Sequence, residues 1–256
     1  MKSLGKVLDI SKFQGKLTQD AVTKIKKQGI LGVILRIGVT GYGGEQPTMD
    51  SCFEYNYALL HDNGIPCGAY YFTIAYNNTI ADREIEFLKR ELGKKKFELP
   101  IYIDVEAQTG SKGWTNLSAS ARTTYVAKIC KALEQERYYV GIYASKSWFG
   151  SKLLEAPLKA FDKWIAQYFV KCTYGGTYHL WQYTSSGNGA LYGISGRVDV
   201  SECFLDFPSI IKREGLNGYG LRKDAYTYNL TLSESEKVSL ENYLSSNSIE
   251  FSAKKV

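Results

Sequence analysis

Eight short β-rich runs, spaced by helical patterns in the first half of the chain and by little in the second, constrain the fold more than any single residue does. The runs are Val7–Ile10, Gly32–Ile37, Pro66–Phe72, Pro100–Val105, Tyr139–Ala144, Lys163–Ala166, His179–Tyr183 and Arg197–Val200. Helices are expected between the early ones, at Thr18–Gln28, Met49–Asn63, Thr79–Leu92 and Ser118–Glu136, the last capped by Asn116 or Ser118. A βα rhythm of this kind points to a mostly parallel α/β sheet. With 256 residues, the chain has room for one large barrel and a short appendage. The expectation is an irregular, TIM-like (β/α) barrel that loses its helices after about residue 145.

In such barrels the chemistry gathers at the C-terminal ends of the strands. Asp9, Asp104, Glu106 and Asp199 each fall at a proposed strand end. Four acids from three distant segments would then share one mouth. Within Pro100–Val105 and just beyond it, the side-chain period of two sends Asp104 and Glu106 to the same face. Like charges placed that close resist joint ionisation, and a poorly solvated partner keeps its proton. A proton donor beside a persistent anion is what glycosidic bond cleavage requires at neutral pH. Strand-end acids also serve as solvated rim residues, metal ligands or helix caps, and Asp9 is well placed for a cap.

Composition narrows the alternatives. The net charge of +6 suits weak attraction to an anionic polymer such as a cell wall and does not demand nucleic acid. Lys94-Lys95-Lys96 reads as a solvated helix end. The five cysteines, Cys52, Cys67, Cys130, Cys172 and Cys203, show no C-x-x-C spacing and read as buried free thiols. With only His61 and His179, neither a histidine metal centre nor a Ser-His-Asp device is favoured, and no cofactor is expected. No apolar run approaches the ~20 residues needed to span a bilayer. No signal-peptide core is visible at the start, so the chain is expected to be made in the cytoplasm and released by another route, or secreted with a leader removed. Residues 1–214 are read as the catalytic barrel. Gly215, Gly218 and Gly220 suggest a linker, and residues 215–256 a small extension in which Ser233-Glu234-Ser235-Glu236 has capping-box spacing.

Several ordered motifs resemble family 25 glycoside hydrolases, the Chalaropsis-type lysozymes. They are Asp9-Ile10-Ser11-Lys12-Phe13-Gln14-Gly15, Gly64-Ile65-Pro66, Gly68-Ala69-Tyr70-Tyr71-Phe72, Asp104-Val105-Glu106, Trp164-Ile165-Ala166-Gln167-Tyr168, Trp181-Gln182-Tyr183-Thr184 and Val198-Asp199-Val200. The resemblance runs from about residue 7 to 207. It implies a flattened (β/α)5β3 barrel and hydrolysis of the β-1,4 bond between N-acetylmuramic acid and N-acetylglucosamine in bacterial peptidoglycan, in a phage endolysin-like setting. The stretch Arg36–Gly44 departs from the family's K-x-[ST]-E-G, and Tyr71 stands where histidine is common. Arg36 is expected to replace the lysine's charge and hold Asp104 or Asp199 ionised.

On this reading Glu106 is the general acid, and Asp104, Asp9 and Asp199 compete to stabilise the developing positive charge. Two residues along a strand separate Cα atoms by roughly 6.5–7 Å, which does not choose between retention and inversion. The favoured route has the substrate's own 2-acetamido oxygen attack with net retention, steered by Asp104. Tyr70, Tyr143, Trp164, Tyr168, Gln182 and Arg36 are expected to bind substrate. The protein is expected to act as a monomer on peptidoglycan, without nucleic acid or membrane insertion. Two rival readings are a non-catalytic glycan-binding barrel and a carboxylate-bound, metal-dependent hydrolase.

Overall fold

The computed structural model describes residues 2–41, 45–93, 95–108, 110–220 and 230–246. The chain divides into two units, Met1–Leu221 and Arg222–Val256. Among the described residues the first unit contains strands β1 (Gly5–Ile10), β2 (Gly32–Thr40), β3 (Pro47–Met49), β4 (Cys67–Phe72), β5 (Ile101–Asp104), β6 (Val140–Ser145), β7 (Asp162–Ala166), β8 (Leu180–Asn188) and β9 (Arg197–Cys203). Its helices are α1 (Gln19–Lys27), α2 (Phe53–Asp62), α3 (Asn78–Leu92), α4 (Lys112–Thr115), α5 (Ala119–Gln135) and α6 (Phe207–Arg213). Strand order is β1-β9-β8-β7-β6-β5-β4-β2, and pairing of β1 with β2 closes an eight-stranded barrel, with β3 attached to the outer end of β2. Within the barrel, neighbours are parallel except around β9, which runs antiparallel to both β8 and β1, and the added β3 is antiparallel to β2.

All eight expected strands form. Helices cross over the first four connections, whereas the fifth carries only a 3-10 turn at Ala156–Leu158. Thr18, Asn77 and Ser118 cap α1, α3 and α5 by accepting the amide N–H three residues on. The helix expected from Met49 begins instead at Phe53. Residues 47–49 pair with β2, and the Asp50 carboxylate accepts the Cys52 N–H at 2.9 Å, which fixes the turn into α2. Helix α6, not expected from the sequence, starts at Asp206, whose carboxylate accepts the Ser209 N–H.

The barrel interior is filled by Val7, Ile34, Tyr102, Tyr143, Trp164 and Leu180, with Phe207 and Ile211 of α6 in the same cluster. Trp164 meets the edges of Tyr143 and Tyr102 at centroid distances of 4.7 and 5.1 Å. Aromatic packing this dense leaves no room for a Cβ at position 141, where it would overlap the Tyr102 ring, so β6 carries glycine there. The stretch read as a linker does not behave as one up to residue 220. Asn217 is fully buried; its side chain donates to Leu99 O at 2.9 Å and accepts the Tyr139 N–H at 2.7 Å. Those bonds satisfy backbone groups beside β5 and β6, which a free linker would leave to water. Of the thiols, Cys52, Cys67, Cys130 and Cys203 are buried and Cys172 is half-buried, all unbridged.

In the second unit, helix α7 (Glu234–Ser246) begins with the expected capping box. The Ser233 N–H donates to Glu236 Oε2 at 2.8 Å, and Ser233 Oγ accepts the Glu236 N–H at 3.4 Å.

Candidate active site

The four acids converge at the C-terminal end of the parallel strands. Asp9 on β1 and Asp199 on β9 are direct partners in the antiparallel register, and their carboxyl groups hydrogen-bond to each other. Asp104 ends β5 and pairs in register with Tyr143 on β6. The backbone ladder continues one residue further through Val105 N–H to Tyr143 O at 2.9 Å. Glu106 therefore lies in the loop after the strand, and its own carbonyl accepts the Trp114 indole N–H at 2.8 Å. Asp9 and Asp104 are buried, whereas Glu106 and Asp199 are half-buried and reach the mouth.

Electrostatics push all four carboxyls above their ordinary range. Desolvation is the largest cause in each case. Asp9 is raised further by Asp199, and Asp104 by Glu106 and Asp9. Glu106 is pulled back down by a hydrogen bond from Tyr143 and pushed up again by Asp199. Among the described residues Asp104 Oδ1 has no hydrogen-bond partner. Protons retained in a pit of this kind belong to the group of acids rather than to one member.

Gln182 on β8 organises the floor. Its Nε2 donates to Asp9 Oδ2 at 3.1 Å, while its Oε1 accepts the hydroxyls of Tyr143 at 2.8 Å and Tyr168 at 3.0 Å. The Tyr143 hydroxyl thus has two acceptors within reach, Gln182 and Glu106. When it turns to an ionised Glu106, Tyr168 still satisfies Gln182. No comparable device surrounds His179. It pairs with Asp162 at 2.8 Å where β7 and β8 begin, at the opposite end of the barrel.

The sequence model of glycosyl hydrolases family 25 matches residues 8–190. The chain belongs to that family. As a family 25 member it is a glycoside hydrolase on a TIM-like barrel. Its barrel resembles the modular autolysin LytC from Streptococcus pneumoniae, solved in complex with a synthetic peptidoglycan ligand, at 27% identity and a TM-score of 0.68. That match covers 77% of this chain and 46% of the autolysin, so the chain spans about half the length of that relative. The fold is shared with the catalytic domain of endolysin ply40 from bacteriophage P40 of Listeria monocytogenes, at 22% identity and a TM-score of 0.62 over 83% of this chain and 98% of that one. It is shared as well with a muramidase from Acremonium alcalophilum, at 20% identity and a TM-score of 0.63 over 84% and 99%. No curated protein matches the chain.

Within this family 25 site, several residues occupy positions other than those expected. Arg36 does not engage Asp104 or Asp199. Its Nε and Nη2 both reach Asp50 Oδ2, at 2.8 and 2.7 Å, because the turn before α2 brings that carboxylate against β2. Its charge still acts on Asp104 from a distance, lowering that pKa slightly against the other causes. Trp164 is 1% exposed and donates its indole N–H to Ser201 Oγ at 2.9 Å, so it supports the floor and has no free face for a sugar. Gln182, 2% exposed, has both ends committed within the pit. Tyr70 is half-buried beside the acids, and Tyr143 is nearly covered beneath them. Tyr168 remains 57% exposed at the rim. Asp50 lies against Arg36, and Phe13 is exposed beside that pair. Residues 42–44 of the divergent Arg36–Gly44 stretch lie outside the described residues.

Proposed function

We propose that this family 25 hydrolase is an N-acetylmuramidase that cleaves the β-1,4 bond between N-acetylmuramic acid and N-acetylglucosamine in bacterial peptidoglycan. The observation that carries the reading is Glu106, a half-buried carboxyl with a raised pKa at the mouth of a pit whose other acids lie behind it. The autolysin solved with a peptidoglycan ligand supports the same substrate class.

In this reading Glu106 donates its proton to the glycosidic oxygen as the bond to the anomeric carbon breaks. The 2-acetamido oxygen of the same sugar attacks that carbon, closing a five-membered ring. Asp104, with Oδ1 uncommitted, accepts the acetamido N–H and offsets the positive charge. Glu106, now ionised and held by Tyr143, removes a proton from water, which opens the ring with net retention. Asp9 and Asp199 supply negative potential and set the protonation of the pair. Tyr168 and Tyr70 are the substrate contacts, and Tyr143 acts on Glu106 directly. The protein works as a monomer on the cell wall, without metal, nucleic acid or cofactor. Among the described residues no helix is long and apolar enough to cross a membrane.

The test is mass spectrometry of a borohydride-reduced digest of purified peptidoglycan. Muramitol ends are the expected product. Glucosaminitol ends alone would overturn the bond assignment, and rapid NMR detecting the inverted anomer first would overturn the acetamido route.

A further inference from the structure

Phe13 is a large aromatic residue with 69% of its surface exposed, four positions beyond Asp9, in the turn that leaves β1 at the catalytic end of the barrel. An exposed ring is ordinary on a loose loop, but this turn is fastened on every side. Ser11 N–H donates to Gln14 Oε1 at 3.0 Å, Gln14 Nε2 donates to Arg197 O at 3.3 Å, and Gln14 N–H closes on Ser11 O at 3.0 Å. Lys12 N–H donates to Asp50 Oδ2 at 2.9 Å. That same oxygen holds the Arg36 guanidinium, which lies 5.0 Å from the centre of the Phe13 ring. Asp50 is 3% exposed and Arg36 7%, so the ring is seated on a buried ion pair.

We propose that Phe13 is a stacking platform for a pyranose ring of the glycan, aimed by the Arg36–Asp50 pair beneath it. The proposal rests on the glycan-hydrolase reading of the adjoining pit. The axial C–H groups of a sugar carry partial positive charge and suit an aromatic face, while the sugar's edge hydroxyls suit polar neighbours. Phe13 offers that combination, since its chain neighbours Lys12, Gln14 and Lys16 are polar. A protein or lipid partner would call for a contiguous apolar patch instead. Asp50 explains what the arginine at position 36 does in this chain. Its charge is spent on holding the ring and the turn together, and Asp50 is a positioning residue acting through Phe13.

The ring is exposed, so Phe13→Ala is expected to fold normally. On solubilised peptidoglycan, KM should rise about three- to tenfold with kcat within about twofold of wild type, since a contact made equally in the bound and transition states changes binding alone. Phe13→Trp should restore KM. Asp50→Asn should raise KM in the same direction while Asp50→Asn combined with Phe13→Ala adds little more, which a purely structural role for Asp50 would not produce. An unchanged KM in Phe13→Ala with intact lytic activity overturns the platform and leaves the muramidase reading standing. Titration with a soluble β-1,4-linked N-acetylglucosamine oligomer separates the reverse case. Phe13-dependent binding without any peptidoglycan cleavage by wild type would uphold the platform and sink the muramidase reading; binding equal in wild type and Phe13→Ala would overturn the platform.

Discussion

One lone carboxyl and one cluster of four are set into this unit, and their surroundings treat them in opposite ways. Glu84 on α3 is fully covered, yet it accepts Thr73 Oγ1–H at 2.5 Å and Ile74 N–H at 3.2 Å and is bonded to Thr40 as well. It has no acidic neighbour among the causes that set its pKa, which burial alone raises to about 7. Asp9, Asp104, Glu106 and Asp199 share one pit, push on each other, and leave one oxygen of Asp104 unbonded. The first arrangement satisfies a charge to fasten a loop. Thr73, which Glu84 holds, donates its N–H to Asp104 O at 3.1 Å, so the quiet carboxyl supports the end of the strand that bears an unsettled one. Buried acids in a cleft mark chemistry when their mutual repulsion is left unrelieved, and structure when donors surround them.

Substitutions at the two places should separate in a predictable order. The largest effect is expected from Asp104→Asn, with turnover on peptidoglycan down by about 10²- to 10³-fold. Its thermal midpoint at neutral pH should rise, because one source of repulsion is gone. A fall in both would make Asp104 a structural acid like Glu84.

Next comes Glu84→Gln, read in stability rather than turnover. A carboxyl whose folded pKa is about 7 against an ordinary 4.5 keeps its proton in the fold after the unfolded chain has lost it. Its contribution is therefore fully favourable below about pH 4.5, is lost as pH rises toward 7, and stays lost above. The wild type should lose about 3 kcal/mol across that window relative to Glu84→Gln, seen in urea melts at several pH values. Parallel curves for the two proteins would show that Glu84 does not titrate there.

A smaller effect is expected from Tyr143→Phe, about tenfold in turnover. Its hydroxyl favours the ionised form of Glu106, so its loss should carry the basic limb of the pH–rate profile to higher pH. A shift to lower pH would reverse the sense of that hydrogen bond. Tyr168→Phe should change turnover least, by less than about threefold, because Tyr143 still supplies Gln182.

Much of this was legible in the sequence. Strand positions follow from hydrophobic runs, and the acids could be grouped because they recur at strand ends in three distant segments. What escaped depended on side-chain reach. Asp50 and Arg36 are fourteen residues apart, and only the short β3 hairpin brings them together. Trp164 stands two residues short of the end of β7, about 6.5 Å deeper than the mouth, where its indole N–H meets Ser201, and its motif carries no sign of that depth. Glu84 sits among Asp82, Arg83 and Glu86 in a helical pattern and reads as one more solvated charge. Its burial follows from α3 packing with Ile80, Ala81, Ile85 and Leu88 inward, which places position 84 on the same face.

The central claim is that Glu106 delivers the proton while the barrel around it remains intact. Turbidity clearing of cell walls by Glu106→Gln, measured beside sedimentation of the same variant with those walls, tests it most directly. Clearing reduced by at least about 10²-fold with wall binding retained is the predicted result. Clearing at close to the wild-type rate would contradict it.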